Sequence, residues 1–220
     1  MKTVIFDLDG TLADTSGDLI AAANVCFEGL GLGALLDPAS DAGTALRGGR
    51  AMLKLGFSRV EGFGEDEILR QYPILLEAYA RDIDTHTVLY PRAMDAVEAL
   101  KVAGYGVGIA TNKPEGLAEE LMRRLGVRDA FASLVGADTL PVRKPDPEHL
   151  FEAARRAGGD PALTCLVGDS DTDRNTSKNG GVPSILVTFG PSGEDMAALE
   201  PEALLDDFAD LPAVVARLLD

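Results

Sequence analysis

Residues 1–15, MKTVIFDLDGTLADT, begin with a short apolar run that ends at two carboxylates. The run at 4–6 has the composition of a buried β-strand. Side chains two residues apart on an extended chain point to the same side, so Asp7 and Asp9 share one side of the strand end. Two carboxylates this close repel each other unless a divalent cation lies between them or one holds a proton. The stretch therefore predicts a strand that ends in a charged site.

Apolar stretches alternate with helical patterns over most of the chain. This alternation predicts a Rossmann-like three-layer α/β core, with a mainly parallel sheet and helices on both faces. The predicted strands are 4–6, 105–110, 131–135, 164–167 and 184–188, and the predicted helices of this core are 93–103, 117–125, 148–157, a polar helix after Asp173, and 211–219.

Residues 16–84 break this alternation, because they contain helical patterns and no convincing strand. A structureless loop of that length would be unusual in a compact domain. The sequence therefore predicts an α-helical cap domain, residues 16–85, inserted into a core domain formed by 1–15 and 86–220. The helical patterns of this insertion are at 18–30, 43–55 and 65–80.

Polar or charged groups follow four of the predicted strands. Ligands of parallel α/β sheets bind at the carboxyl ends of the strands, so we expect these groups to converge on one edge of the sheet. They are Asp7-Leu8-Asp9 after the first strand, Thr111-Asn112-Lys113 after the second, Arg143-Lys144-Pro145 beyond the third, and Gly168-Asp169-Ser170 after the fourth.

The acidic groups at this edge suit a hard divalent cation. Asp169 and Asp173 lie about one helical turn apart and form a second acidic cluster that faces the first. Oxygen ligands without a nearby His or Cys favour Mg²⁺ over zinc. Two simpler interpretations stay open for the isolated motifs, namely an Asp-Gly turn at Gly10 and an acidic helix N-terminus at Asp169–Asp173. In the charged site, Gly10 permits a sharp turn and Thr11 can hydrogen-bond a neighbouring carboxylate.

Three further residues can hold a phosphate. Lys144 is fixed by the proline that follows it, and its ammonium group can bind a phosphate and offset the acidic site. Thr111 and Asn112 offer a hydroxyl, an amide and backbone N–H groups. The alternatives are a solvated surface lysine, and a turn that caps the helix beginning at Pro114.

The composition excludes several classes of function. The formal net charge of −16 argues against nucleic-acid binding, which needs a basic face. No apolar run is long enough to span a membrane, and Met1 leads directly into a strand without a signal-peptide pattern.

Cys26 and Cys165 lie far apart in unlike contexts, so we expect both to be buried and reduced. The cytoplasm is the expected location, and a monomer or homodimer is the expected assembly.

The motifs resemble those of the haloacid dehalogenase superfamily of phosphatases in order and spacing across nearly the whole chain. The signatures are DLDGT at Asp7, TNK at Thr111, RKPDP around Lys144 and GDSDTD at Asp169. The helical insertion resembles the cap of that superfamily, and FDLDGTLADT, VRKPDPEHL and VPSILVTFG are most similar to the phosphoglycolate phosphatase subgroup. The resemblance implies a phosphomonoester hydrolase that acts on a small anionic phosphorylated metabolite, with 2-phosphoglycolate as the favoured substrate.

The resemblance also assigns roles to residues. Asp7 would be the nucleophile that becomes an aspartyl-phosphate, and Asp9 the general acid and base. The Asp7 carboxylate, the Asp9 carbonyl and Asp169 would hold Mg²⁺, with Asp173 supporting them. The phosphoryl group would contact Thr111, Asn112, Lys144 and the amides of Leu8 and Asp9, while Gly10, Thr11 and Ser170 would support the site.

The resemblance places substrate recognition on the cap and on one lysine of the core. Arg47 or Arg50 could bind a substrate carboxylate, since guanidinium suits that planar group, and Lys113 could contact the leaving group. The alternative is a helix–helix turn with solvated arginines. The helix after the fourth motif departs from the family pattern, because Arg174, Lys178 and Asn179 stand where small apolar residues are common. Asp171 adds a carboxylate of no assigned use.

The sequence also bears on alternative functions within and outside the superfamily. Asp9 argues against a dehalogenase, and Lys54, the one cap lysine, has no context that favours a phosphonatase. A sugar-phosphate phosphatase or a phosphosugar mutase is the alternative, although His86 lies near the second hinge rather than the first. His149 is interpreted as structural. A phosphometabolite-binding module without turnover is the alternative from a different class.

Overall fold

A computed structural model describes residues 1–190 and 195–219. Its main sheet has six strands, and every neighbouring pair in it is parallel. Two further strands, β2 and β3, lie outside this sheet. In chain order all strands are β1 (Thr3–Phe6), β2 (Ala13–Asp14), β3 (Val88–Leu89), β4 (Gly106–Ala110), β5 (Ser133–Val135), β6 (Thr164–Gly168), β7 (Ser184–Val187) and β8 (Ala203–Leu205).

Helices flank this sheet or lie between β2 and β3. The helices are α1 (Ser16–Gly29), α2 (Pro38–Ala45), α3 (Gly49–Phe57), α4 (Glu65–Arg81), α5 (Ala93–Val102), α6 (Glu115–Arg124), α7 (Pro147–Arg156), α8 (Asp171–Gly180) and α9 (Leu211–Leu219). The predicted α/β fold with a parallel sheet and a helical insertion is confirmed.

The order of the strands places β1 in the interior of the main sheet, between β4 and β6. The main sheet has the order β5-β4-β1-β6-β7-β8, and β2 and β3 form a separate two-stranded sheet. From β1 the chain builds the sheet outward to β4 and β5, and then crosses to β6 on the other side. The switch point lies between β1 and β6, which is where open α/β sheets bind their ligands.

The register of the sheet explains why distant motifs meet. Phe6 on β1 lies opposite Ile109 on β4 and Val167 on β6. The Asp7 N–H continues the ladder by donating to the Val167 carbonyl at 2.8 Å. β1, β4 and β6 are buried along their whole length, as expected for strands covered on both faces. The residues that follow each strand therefore leave the sheet at neighbouring points of one edge.

The chain forms two compact units. The sheet unit is built from Met1–Ala13, Leu89–Gly190 and the C-terminal part of the chain, and the helical unit from Asp14–Val88. In the sheet unit, α7 packs on β1, β4 and β5, with Leu150, Ala153 and Ala154 buried in a shared core. That the helical unit serves as a substrate-covering cap, with boundaries at residues 16 and 85, stays a prediction.

The helical unit has its own core, and hydrogen bonds join the two ends of its chain segment. α1 packs against α2, α3 and α4, and the ring of Phe27 meets that of Phe57 edge-on at 5.1 Å. Asp18, in the first turn of α1, is 2% exposed. Its carboxylate accepts hydrogen bonds from the backbone N–H groups of His86 and Thr87, each at 2.9 Å, and from the Thr87 hydroxyl at 2.7 Å. Asp18 thus ties the last residues of the unit to its first helix.

Several elements differ from the prediction in extent. α8 begins at Asp171 rather than after Asp173, because the Ser170 side chain accepts the N–H of Asp173 and caps the helix. α2 was missed, although Asp37 caps its N-terminus and Pro38 stands at its first position. The strands β2, β3 and β8, each of two or three residues, were not predicted either.

The cysteine prediction is confirmed. Cys26 and Cys165 are both free and buried. Burial raises the pKa of the Cys26 thiol to about 11 and that of Cys165 to about 12, so neither has thiolate character near neutral pH. Among the described residues, no helix combines the length and apolar composition needed to cross a membrane.

Candidate active site

The turn after β1 presents Asp7 and Asp9. Oδ1 of Asp7 accepts the Leu8 N–H at 2.7 Å, and the backbone turns back sharply because three later N–H groups donate to the Leu8 carbonyl. Gly10 has a φ of 83°, a conformation that glycine adopts without strain. The turn keeps both carboxylates at the carboxyl end of the central strand.

The end of β6 supplies the second acidic cluster. Asp169 is 4% exposed, and its Oδ1 accepts the Thr11 hydroxyl at 2.7 Å, which joins the two strand ends directly. Asp173 is fully buried in the first turn of α8, where a carboxylate interacts favourably with the helix dipole. Its Oδ2 accepts the Ser170 hydroxyl at 2.6 Å and the Asp169 N–H at 3.2 Å.

Lys144 connects the two clusters. Its Nζ lies 2.7 Å from Oδ1 of Asp173 and 3.0 Å from Oδ1 of Asp7, and its side chain is 1% exposed. Burial alone would lower the pKa of Lys144, but the two carboxylates outweigh it and raise the pKa above its ordinary value. Lys144 is therefore charged at any working pH, and the alternative of a solvated surface lysine is wrong.

The carboxyl groups of Asp7 and Asp169 have raised pKa values. Burial, with smaller contributions from the charges of Asp173 and Asp9, raises the pKa of Asp7 to about 6 despite the opposing effect of Lys144. Burial, together with the charges of Asp173 and Asp7, also raises the pKa of Asp169 well above its usual value. Both shifts arise because low-dielectric surroundings disfavour ionised carboxylates.

A divalent cation fits this environment. Asp7, Asp169 and Asp173 each place a carboxylate oxygen within 4.8 Å of the others. Hard oxygen donors of this kind suit Mg²⁺, and a cation would counter the burial that raises the carboxyl pKa values. The ionisable groups of the site are four carboxylates and two lysines. With all of them ionised, the net formal charge is −2 for the set Asp7, Asp9, Asp169, Asp173, Lys113 and Lys144. One divalent ion would neutralise this charge.

The loop after β4 is held against these clusters. The Thr111 N–H donates to the Val135 carbonyl at 3.0 Å, and the Asn112 side-chain amide donates to the Lys144 carbonyl at 3.0 Å. Thr111 and Lys113 are buried. The loop therefore contributes side chains to the same edge as Asp7, as the strand-end argument predicted.

Lys113 makes a contact with Asp9 that was not predicted from the sequence. Its Nζ lies 2.8 Å from Oδ1 and 2.9 Å from Oδ2 of Asp9, although the two residues are 104 positions apart. The only feature of the sequence that pointed to a role for Lys113 in the site was its position directly after Thr111-Asn112, at a strand end. His149, interpreted as structural, is buried, and its Nε2 lies 3.0 Å from the Gly136 carbonyl.

The arginines assigned to substrate recognition lie in the helical unit. Arg47 is exposed in the turn that precedes α3, and the Arg50 guanidinium lies 5.2 Å from the centre of the Tyr72 ring, a cation–π distance. Asp171 is exposed in the first turn of α8. Arg174, one of the departures from the family pattern, donates to Glu202 and to the Leu199 carbonyl and so braces α8 from outside the site. A role of Arg47 or Arg50 in substrate binding stays a prediction.

Comparison with known proteins agrees with the motifs and the fold. The family model described as haloacid dehalogenase-like hydrolase matches residues 1–181. Phosphoglycolate phosphatase of Agrobacterium fabrum is 37% identical over 219 residues, covering 98% of this chain and 93% of the relative. The phosphoglycolate phosphatase of Rhodospirillum rubrum is also 37% identical, covering 96% and 89%.

Solved structures show the same architecture. A crystal structure from Haemophilus somnus, described as a predicted phosphoglycolate phosphatase, superposes with a TM-score of 0.82 at 25% identity and covers 97% of each chain. The family match spans the two strand ends that supply Asp7 and Asp169 as well as the loops that supply Thr111 and Lys144. This chain therefore belongs to the haloacid dehalogenase-like hydrolases.

Proposed function

We propose that this protein is a Mg²⁺-dependent phosphatase that hydrolyses a small phosphomonoester, with 2-phosphoglycolate as the first substrate to test. The carrying observation is the cluster at the end of β1, where Asp7 lies beside Lys144 and shares a potential cation position with Asp169. The two relatives named phosphoglycolate phosphatase support the choice of substrate.

Asp7 has the surroundings of a nucleophile. Lys144 and the Leu8 N–H both contact Oδ1, so we assign the attack on phosphorus to Oδ2. A bond forms between Oδ2 and phosphorus while the bond from phosphorus to the leaving oxygen breaks, which yields an aspartyl-phosphate. Lys144 stays at the site throughout and offsets the charge of the phosphoryl group.

Asp9 would move the protons. In the first step it donates a proton to the leaving oxygen, so the product departs as an alcohol. In the second step the Asp9 carboxylate takes a proton from water, and the water oxygen attacks phosphorus. The bond from phosphorus to Asp7 breaks, inorganic phosphate is released and the Asp7 carboxylate is restored.

The remaining groups hold the phosphoryl oxygens and the cation. The Thr111 hydroxyl and the backbone N–H groups of the turn after β1 would contact the phosphoryl group, and Asn112 would help by holding the Lys144 backbone. Asp7, Asp169 and the Asp9 carbonyl would hold Mg²⁺. When bound, the ion would neutralise charge on the transferring group.

Phosphate release tests this proposal. We expect the wild-type protein to release inorganic phosphate from 2-phosphoglycolate with Mg²⁺ and to stop when EDTA is added. Asp7→Asn should lower kcat by about 1000-fold or more, because the amide is a poor nucleophile. Asp171→Asn, an exposed acidic residue of the same site region, is the matched control and should keep the wild-type rate.

Two outcomes would contradict the proposal. Full turnover in Asp7→Asn would exclude the nucleophile. Binding of phosphometabolites by the wild-type protein without any phosphate release in Mg²⁺ would indicate a binding module instead. A kcat/KM panel that includes sugar phosphates decides the substrate, and a clear preference for a sugar phosphate would replace 2-phosphoglycolate.

A further inference from the structure

Lys113 forms an ion pair with the side chain of Asp9. Its ammonium group contacts both carboxylate oxygens, at 2.8 Å and 2.9 Å. The Lys113 side chain is 4% exposed, whereas that of Asp9 is 16% exposed. The lysine side chain is therefore almost fully buried, whereas part of the Asp9 side chain is exposed to solvent.

The backbone of Lys113 is fixed on both sides of its Cα atom. Its N–H donates to the Thr111 hydroxyl oxygen at 3.2 Å, and its carbonyl accepts the Ala137 N–H at 2.9 Å. The neighbouring Gly136 is fixed in turn, because the buried His149 ring contacts its carbonyl at 3.0 Å. Lys113 thus extends to Asp9 from a rigid base.

An aspartate side chain needs such support to transfer protons efficiently. The terminal torsion of an aspartate has a broad energy minimum, so an unsupported carboxylate rotates readily. Proton transfer requires the oxygen to lie within hydrogen-bond distance of the reacting atom, and small displacements lower the rate strongly. Two contacts from one ammonium group restrict this rotation.

We propose that Lys113 is the positioning residue of Asp9, holding its carboxylate toward the leaving oxygen and then toward the attacking water. The inference rests on the proposed function and deepens it. Lys113 acts through Asp9 and does not bind the leaving group of the substrate. The two roles differ in kinetics, since loss of a leaving-group contact raises KM, whereas loss of positioning lowers kcat.

The nature of the leaving group separates the two chemical steps. An alkoxide must receive a proton as it departs, so release from 2-phosphoglycolate or ethyl phosphate depends on Asp9. A p-nitrophenolate departs without a proton, so the first step with p-nitrophenyl phosphate is independent of Asp9. The second step, in which Asp9 takes a proton from water, is common to all three substrates.

Lys113→Met should therefore produce a specific kinetic pattern. We expect kcat for 2-phosphoglycolate and for ethyl phosphate to fall by about 10-fold to 100-fold at unchanged KM. With p-nitrophenyl phosphate, stopped-flow should show a burst of about one equivalent of p-nitrophenolate and then slow turnover. Lys101→Met, which removes an exposed lysine paired with Glu98, is the matched control and should behave as wild type.

A second variant covers the case in which Lys113→Met does not fold. Lys113→Gln keeps most of the side-chain length and one hydrogen-bond donor group, and it should show the same burst with a smaller loss of kcat. Lys113→Arg, whose guanidinium can contact both carboxylate oxygens, should restore more of kcat than glutamine does. Circular dichroism of each variant checks that it is folded.

The outcomes are separable from those of the proposed function. Absence of phosphatase activity in the wild-type protein defeats the proposed function itself. An active wild type whose folded Lys113 variants keep kcat and show no burst defeats the positioning role alone. A raised KM for 2-phosphoglycolate with normal KM for ethyl phosphate would overturn it too, because it would show that Lys113 binds the carboxylate of the substrate.

Discussion

Asp173 and Asp18 are the third residues of their helices, α8 and α1, and both are buried. Their partners differ. Asp173, in the sheet unit, contacts the Lys144 ammonium at 2.7 Å in addition to Ser170 and a backbone N–H. Asp18, in the helical unit, accepts only neutral donors among its observed contacts, which are two backbone N–H groups and a hydroxyl.

The difference shows that burial alone does not identify a functional carboxylate. A carboxylate satisfied by backbone N–H groups fixes chain geometry, much as a helix cap does. A carboxylate whose partner is a buried cation takes part in a charge balance, and loss of either member leaves an uncompensated charge. We therefore propose that Asp173 takes part in the chemistry of the protein and that Asp18 fixes the architecture of its helical unit.

The largest expected effect is on catalysis. Asp173→Asn removes the closest counter-ion of Lys144 and alters the acidic cluster, so kcat/KM for 2-phosphoglycolate should fall by about 100-fold to 1000-fold. Steady-state kinetics over a range of Mg²⁺ concentrations would measure this loss. The Mg²⁺ concentration for half-maximal rate should rise as well.

Asp18→Asn is the matched substitution for that experiment. It is the same change at a buried third residue of a helix, but it leaves the sheet unit intact. If both variants lost turnover of p-nitrophenyl phosphate to the same extent, the distinction between the two aspartates would be lost.

The next effect is on local stability. In Asp18→Asn, an NH₂ group replaces one of the two accepting oxygens. Either the His86 N–H, which donates to Oδ1, or the Thr87 N–H and hydroxyl, which donate to Oδ2, then lose an acceptor. We expect the free energy of local opening at these amides to fall by about 2 kcal/mol, since buried donors are left without an acceptor. Hydrogen exchange of peptides that cover residues 82–90 measures it.

Exchange in β1 and β6 of the same sample is the internal reference. Those strands should keep their protection in Asp18→Asn, because none of their observed hydrogen bonds involves Asp18. Unchanged exchange at 82–90 would contradict the closing role of Asp18.

Much of the site could be predicted because a parallel sheet brings the ends of its strands together. Asp7, Asp169 and Thr111 each follow a short apolar strand, and the register of β1 with β4 and β6 is set by the same apolar runs that identify the strands. Lys144 needed the resemblance to a family as well, because its loop follows β5 at a distance of several residues. These positions depend mostly on backbone topology.

The features that were missed depend on side-chain reach or on very short elements. The Lys113–Asp9 pair joins residues 104 positions apart, and no periodicity in the sequence specifies which carboxylate a strand-end lysine will contact. Asp18 has the sequence context of an ordinary acidic helix N-terminus. Strands such as β8, with three residues, are too short for a period of two to be recognised.

The last expected effect concerns the pH dependence of stability and again depends on the charge balance of the sheet unit. Burial raises the pKa of Asp7 to about 6, whereas an unfolded aspartate has its usual value near 3.8. Between these values the folded protein binds more protons than the unfolded chain. The contribution of Asp7 to the free energy of unfolding therefore falls as pH rises from about 4 to about 6.

Urea unfolding of wild type and Asp7→Asn in EDTA, at pH 4.5 and 6.5, isolates this contribution. Wild type should lose about 2 kcal/mol more than the variant over this interval. Added Mg²⁺ should stabilise wild type more at the higher pH, because protons compete with the cation for the same carboxylates. An equal pH dependence in both proteins would show that Asp7 is ionised in the folded state without the ion, and that Lys144 by itself compensates its charge.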